Sequence, residues 1–345
     1  MKTIGRQMGE FPLAHIGVFD FRGSDFAADS SYFGLHLNEA YLIAHVVSKR
    51  DGRMIHFVRP MMLYTSSGAA LSAARADGGV YQDERTAQFL RGGTFTRSIT
   101  DSGAMRLSGS SGFWSGGVHL TVDATFGDQV SWQDSGHVSL TGRILGPAMQ
   151  TYVPSRRGHA GVGVCHTGTF YEADGQIFDE AVSGIVAIEH VFSPPAEILA
   201  DSSIRRRFGG GWNGFASVFE DDSKQHGHIA FGTGPFRFAN IMDGDRHICC
   251  AIESIATATD ANGLGRRIEY RLANGELWEF VTQATLMDYL TQARAAGSST
   301  QVHKGYVGRV GETRKRRNAY SIQEWVPERL RNDAVESNDI VPRGF

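Results

Sequence analysis

The feature that most constrains this chain is a period-two alternation of apolar and polar residues, interrupted by short turn sequences. "YLIAHVVSK" (41–49) is followed by "RDGR" and then by "MIHFVRPMM" (54–62). An Asp-Gly pair between two alternating runs predicts a hairpin. "ADGQ" (173–176), "DDSK" (221–224) and "ANGE" (273–276) also stand between apolar runs and predict three more. "GVHLTVDATF" (117–126) sets Val118, Leu120 and Val122 on one face and His119, Thr121 and Asp123 on the other. Glycine is abundant at 42 residues and proline sparse at 9, as many strands with tight turns require. A flat sheet of so many strands would leave an uncovered face and open edges, which closed barrels or sandwiches avoid. The chain is therefore expected to be all-β. Strands recurring along 345 residues suggest two consecutive antiparallel β-barrels. Few helices are expected, all short: "TAQFLRGG" (86–93), "PAEILADSSIRRRF" (195–208) and "TLMDYLTQARAAG" (285–297). Periodicity is weakest across 192–211. The expected division is a first barrel over 1–195, a second over 196–330 and a frayed tail over 331–345.

Composition excludes several classes. The formal net charge is −3, whereas a nucleic-acid binder usually carries a basic excess. "TRKRR" (313–317) is short, and a solvated turn or strand edge is a better reading than a phosphate patch. Cys165, Cys249 and Cys250 include one adjacent pair and are odd in number. They suit neither a disulfide framework nor a C-x-x-C zinc site, and point to a reducing, cytoplasmic setting. The N-terminus has no apolar run like a signal peptide, and no stretch approaches the roughly 18 apolar residues of a membrane span. A homodimer through short exposed edges is compatible with the pattern, and nothing requires it.

One segment is more particular. "GTFYEADGQIFDEAVSGIVAIEHVF" (168–192) reads as strand, turn, strand and then acid-His-x-aromatic. It resembles the centre of the carotenoid hydratase/AttH-like group of the calycins, which carries G-x-x-x-x-x-G-x-G-x-x-D-H-x-W-G at this place. Here Glu189 stands for Asp, Phe192 for Trp and Ser193 for Gly, beside His190. "YFGLHLNEAYLIAHVVSKRDGRMIHFVRPMM" resembles the opening strands of that group's first barrel. "GWNGFASVFEDDSKQHGHIAFG", "YRLANGELWEF" and "GYVGRVGETRK" resemble strands of its second. The resemblance spans about Tyr32 to Trp325 in layout. It implies two lipocalin-like barrels and either a hydratase or cyclase of terpenoid-like double bonds, or a carrier of lipophilic molecules.

The candidate chemistry centres on Glu189 and His190. Neighbours on a strand point to opposite faces. Val186, Ile188 and His190 share one face; Ile185, Ala187 and Glu189 share the other. Both faces are apolar up to that point, so both should be covered, as where two barrels meet. A buried acid or imidazole there is either a proton-transfer group or part of a structural pair, for instance with Arg205, Arg206 or Arg207. Tyr171, Asp179 and Glu312, the acid of "GRVGE", are further catalytic candidates. Arg157 and His159 in "YVPSRRGHAGVGVCH" are expected at a barrel mouth, with Phe192 and Trp212 as substrate contacts. His226 and His228 share a face, but no third ligand stands at metal spacing; a solvated hairpin end is the expectation. No cofactor motif is present: "GSSGFWSGG" lacks the G-x-S-x-G context, and no Gly-rich loop opens a helix. The expected function is a cofactor-independent hydration, dehydration, isomerisation or cyclisation of a lipophilic unsaturated small molecule. The alternative is a non-catalytic carrier of a hydrophobic ligand.

Overall fold

A computed structural model describes residues 8–11, 14–21, 31–32, 34–62, 70–74, 80–81, 90–99, 105–113, 119–134, 138–153, 163–177, 179–193, 210–231, 237–285 and 299–326. All the regular structure within them is β. The strands are β1 (Met8–Phe11), β2 (Ala14–Phe19), β3 (Ser31–Tyr32), β4 (Leu35–Ser48), β5 (Met54–Met62), β6 (Ala70–Ala74), β7 (Val80–Tyr81), β8 (Leu90–Ile99), β9 (Met105–Phe113), β10 (His119–Phe126), β11 (Gln129–Asp134), β12 (Val138–Ile144), β13 (Ala148–Val153), β14 (Val164–Ile177) and β15 (Glu180–Ser193). They are followed by β16 (Gly211–Phe219), β17 (Lys224–Phe231), β18 (Arg237–Asp243), β19 (Arg246–Thr259), β20 (Gly265–Leu272), β21 (Leu277–Thr285), β22 (Gln301–Arg309) and β23 (Arg316–Trp325). The first fifteen form one antiparallel sheet in the order β7-β6-β5-β4-β15-β14-β12-β11-β10-β9-β8, with β13 bridging β14 and β2. The last eight close into a barrel in sequence order, β16 pairing with both β17 and β23. Of the expected helices, 195–208 lies outside the described residues, as do 86–89 and 286–297. Leu90–Gly93 belong to β8.

Three of the four predicted turns fall where the sequence places them. Gly52 and Gly275 take positive φ at the β4–β5 and β20–β21 turns, and Asp222 does so between β16 and β17. The fourth does not. β14 runs through "ADGQ" to Ile177, which pairs with Glu180 of β15, and Asp179 takes φ 64°. Gly175 serves a close approach instead: a Cβ there would run into the Ser139 carbonyl oxygen of the neighbouring β12.

The core divides by face. Inside the first sheet, Leu42, Ala44, Val46, Trp132, Leu140, Tyr171, Val186, Ile188 and Phe192 pack together. The second barrel is filled by Phe215, Phe231, Tyr270, Trp278, Phe280 and Trp325 among others. Its interior polar groups meet one another. Asn213 and Tyr270 donate to Gln323 Oε1 at 2.7 and 2.9 Å, and Ser321 donates to Asn213 at 3.0 Å.

A third apolar layer lies in the seam between the two sheets. Ile43, Phe170, Ile185 and Ala187 from the first sheet meet Ala216, Val218, Met242 and Tyr320 from the barrel. Polar ties fasten this seam. Asn240 donates to the Gly17 carbonyl at 2.8 Å, His226 Nε2 donates to the Pro147 carbonyl at 2.9 Å, and Arg317 and Asn318 donate to Glu172. Two arginines of the basic run are spent on ion pairs, Arg314 with Glu312 and Asp243, Arg317 with Glu172 and Asp222.

Candidate functional site

β15 carries the candidate residues on its two faces. Val186, Ile188, His190 and Phe192 turn into the first sheet's interior, whereas Ile185, Ala187 and Glu189 turn into the seam. His190 is fully buried and pairs in register with Thr167 of β14. Glu189 pairs in register with Gly168 and Tyr41.

Around Glu189 the seam gathers polar side chains from both sheets. Its Oε2 lies 3.5 Å from His166 Nε2 of β14. His166 and His228 of β17 meet edge to face, their ring centres 5.1 Å apart, and Trp212 of β16 packs on both, at 4.8 and 4.7 Å. Two glycines make room. A Cβ on Gly168 would lie 2.6 Å from His228 Nε2, and one on Gly214 would touch Glu189 Oε1 and His228. These close approaches let Glu189 and His166 of the first sheet stand against His228 of the barrel.

A second group lies further from solvent. Lys304 of β22 has its Nζ 5.8 Å from the centre of the Tyr320 ring, and His45 of β4 meets the edge of that ring at 5.7 Å. His56 packs against His45 at 6.2 Å. Exposure grades the site: the side chains of Glu189 and His166 keep 13% and 11%, whereas Lys304 and Tyr320 keep 1% and 0% as whole residues. The two carboxyl-side partners form the accessible edge, and the lysine and tyrosine the floor.

The electrostatics follow from that burial. Burial pushes the His45 imidazole down to about 3, helped by Lys304. It holds His228 well below the usual range too, aided by His166 and His226. Lys304 lies well below the ordinary lysine value because burial penalises its charge, while Glu189 and Glu324 pull the other way. Tyr320 is raised well above the ordinary phenol by burial and then by Glu189 and Glu324. The neutral imidazoles of His45 and His228 and the protonated phenol of Tyr320 therefore share the seam with Glu189 and with an amine of reduced basicity. Among the described residues, Glu189 Oε1, His166 Nδ1, both nitrogens of His228 and of His45, Lys304 Nζ and Tyr320 Oη make no hydrogen bond. No group of three or more His, Cys, Asp or Glu among the described residues is arranged to hold a metal ion.

Of the residues singled out from sequence, Glu189 and Trp212 meet here. His190, Tyr171 and Phe192 lie on the inner face of the first sheet instead. There Tyr171 donates its hydroxyl to the Gly127 carbonyl at 3.0 Å. Asp179 is exposed at the β14–β15 turn. Glu312 sits at the end of the second barrel, where hydrogen bonds and charge from Arg314 hold it down to about 2. Arg157, His159 and Arg205–Arg207 lie outside the described residues. His226 and His228, read as a solvated end, are buried in the seam because the first sheet covers that face of β17. His166, His45, Lys304 and Tyr320 were not found from sequence. The available signal was an alternation in which polar residues share faces with glycines, as in "VCHTGTF" and "GWNGF".

No family model matches the chain, and no curated protein matches it. Solved structures resemble it in layout. An AttH-like protein from Nitrosomonas europaea aligns over 92% of this chain and 96% of its own, with 11% identity and a TM-score of 0.48. Kievitone hydratase from Nectria haematococca aligns over 89% and 95%, with 10% identity and a TM-score of 0.43. CghA, solved with Sch210972, aligns over 91% and 98%, with 16% identity and a TM-score of 0.45.

Proposed function

We propose that this protein is an enzyme of lyase or isomerase type that moves protons on a lipophilic, unsaturated small molecule without a redox cofactor. The observation that carries the reading is the set of unsatisfied acid-base atoms gathered in one seam: Glu189 Oε1, both His228 ring nitrogens, Lys304 Nζ and Tyr320 Oη. Leaving such groups unpaired costs stability, and sites of catalysis are where that cost is commonly met. Glu189 is the proton-transfer group in this reading. Its carboxyl group, once protonated, donates to a double bond; water then adds to the cation and returns a proton to the carboxylate. The reverse removes water, and loss of a different proton shifts the double bond. Trp212 and Phe170 offer aromatic faces to a passing cation. Phe170 lies 6.0 Å from His228 and 5.9 Å from Tyr320, ring centre to ring centre.

Carriage without chemistry is the second reading. It is favoured by Thr167 and Thr169, whose buried hydroxyls on the first sheet's inner face make no hydrogen bond among the described residues. Organic extraction of the purified protein, read by mass spectrometry, followed by incubation of the extracted compound in heavy water, separates the two. Deuterium in a converted product supports the enzyme. A stoichiometric ligand returned unchanged supports the carrier.

A further inference from the structure

Lys304 deepens this reading by naming a substrate class. It is one of five lysines in the chain. Of the others described, Lys49 and Lys315 are exposed and Lys224 is half-buried. Lys304 alone among the described lysines is enclosed, with 1% of its surface exposed. No carboxylate or carbonyl of the described residues receives its amine. The neighbours that geometry gives it are a phenol ring, with its own hydroxyl unbonded, and the neutral His45, which makes a T-shaped contact with that ring. Glu189, toward the open edge, acts on it only through charge. A structural lysine would extend its head to water or to an acid. This one keeps its head inside.

We propose that Lys304 is a carbonyl-binding nucleophile, whose amine adds to an aldehyde or ketone on an apolar ligand in the seam and holds it as an imine. The inference rests on the proposed function, because an imine draws electrons from the adjacent carbon and eases the proton removal assigned to Glu189. The step balances without a further reactant. Nζ bonds to the carbonyl carbon, and the two amine protons leave with the carbonyl oxygen as one water as the C=N bond forms. Hydrolysis restores the amine. The Tyr320 phenol, whose ring centre lies 5.8 Å from Nζ and whose hydroxyl makes no hydrogen bond, is the group assigned to pass the proton to the departing oxygen. Burial, which favours the uncharged amine, keeps the nucleophilic form available where exposed lysines are protonated.

The test uses the full chain, decanal as probe and cyanoborohydride as trap, in mildly acidic buffer, with the alkylated lysines mapped by peptide mass spectrometry. The expected result is alkylation at Lys304 about tenfold faster than at Lys49, Lys224 or Lys315. Lys304→Met should remove that adduct and leave the slow surface labelling in place. Any other distribution, including label on the surface lysines alone or no label, overturns the proposal. The underlying reading is scored separately, by deuterium incorporation into the extracted compound. Wild-type turnover without a Lys304 adduct overturns the imine alone, and an adduct without turnover overturns the acid-base enzyme alone.

Discussion

Lys304 and Glu189 occupy one seam and differ in what their replacement should do. The lysine's amine is buried with no hydrogen bond among the described residues, so the fold bears its desolvation without return. Methionine has a similar length and no polar atom. Lys304→Met is therefore expected to stabilise the protein by about 1–4 kcal/mol, seen as a higher urea midpoint at unchanged slope. A lower midpoint would mean that the amine has a partner holding the seam. Glu189 keeps 13% of its side chain exposed and has one oxygen near His166. Glu189→Gln preserves shape and removes the proton-transfer group. Turnover of the extracted compound should fall about a hundred- to ten-thousand-fold while the melting temperature stays within a few degrees. A collapsed melt would make Glu189 a clamp between the sheets.

The strands show which parts of this arrangement were legible in sequence. β15 was: its alternation separates Glu189 from His190, and apolar residues on both faces announce that both are covered. β22 was not. "QVHKGYVGR" places a lysine between Val302 and Tyr306 on one face, where the alternation does not mark it as buried, and only the first sheet laid over that face encloses it. "KQHGHIAF" misled for the same reason. Periodicity reports that a strand has two faces, and the covering of the outer one depends on residues far away in the sequence, 79 positions for His226 and Pro147. Gly175 shows the related limit for turns, since an Asp-Gly pair looks the same whether glycine is needed for a reversal or for a close neighbour. Gly168 offers a direct test of how tightly the two sheets meet. In Gly168→Ala the new methyl would stand 2.6 Å from His228 Nε2 and 2.7 Å from Cε1. The change should cost about 1–3 kcal/mol. His228→Ala in the same chain should recover a good part of that, giving a coupling of about 1 kcal/mol or more in a double-mutant cycle. Additive effects would show that the sheets separate easily at this point.

At the scale of the molecule, closing two sheets over polar groups makes stability depend on pH in one direction. Burial sets His45 to about 3 and His226 and His303 to about 4, against 6.5 in an open chain. Below 6.5 the unfolded chain takes up protons that the folded one refuses, so stability is complete above that value and drains away as the pH falls toward 4. Each such histidine adds up to about 1.4 kcal/mol per pH unit within its window, and His56 and His228 act in the same sense. Lys304 follows the same rule at the other end. Its folded value lies well below 10.5, so the unfolded chain alone holds that proton over the alkaline range, and stability climbs as the pH rises toward 10.5. Urea midpoints should therefore fall steeply between pH 6.5 and 4 in both wild type and Lys304→Met. From pH 7 to 10 the wild type should rise and the variant should run flatter. The difference between the two curves isolates one amine. If it does not change across the alkaline range, Lys304 is charged in the folded protein, and the seam holds a counter-charge for it in place of a free nucleophile.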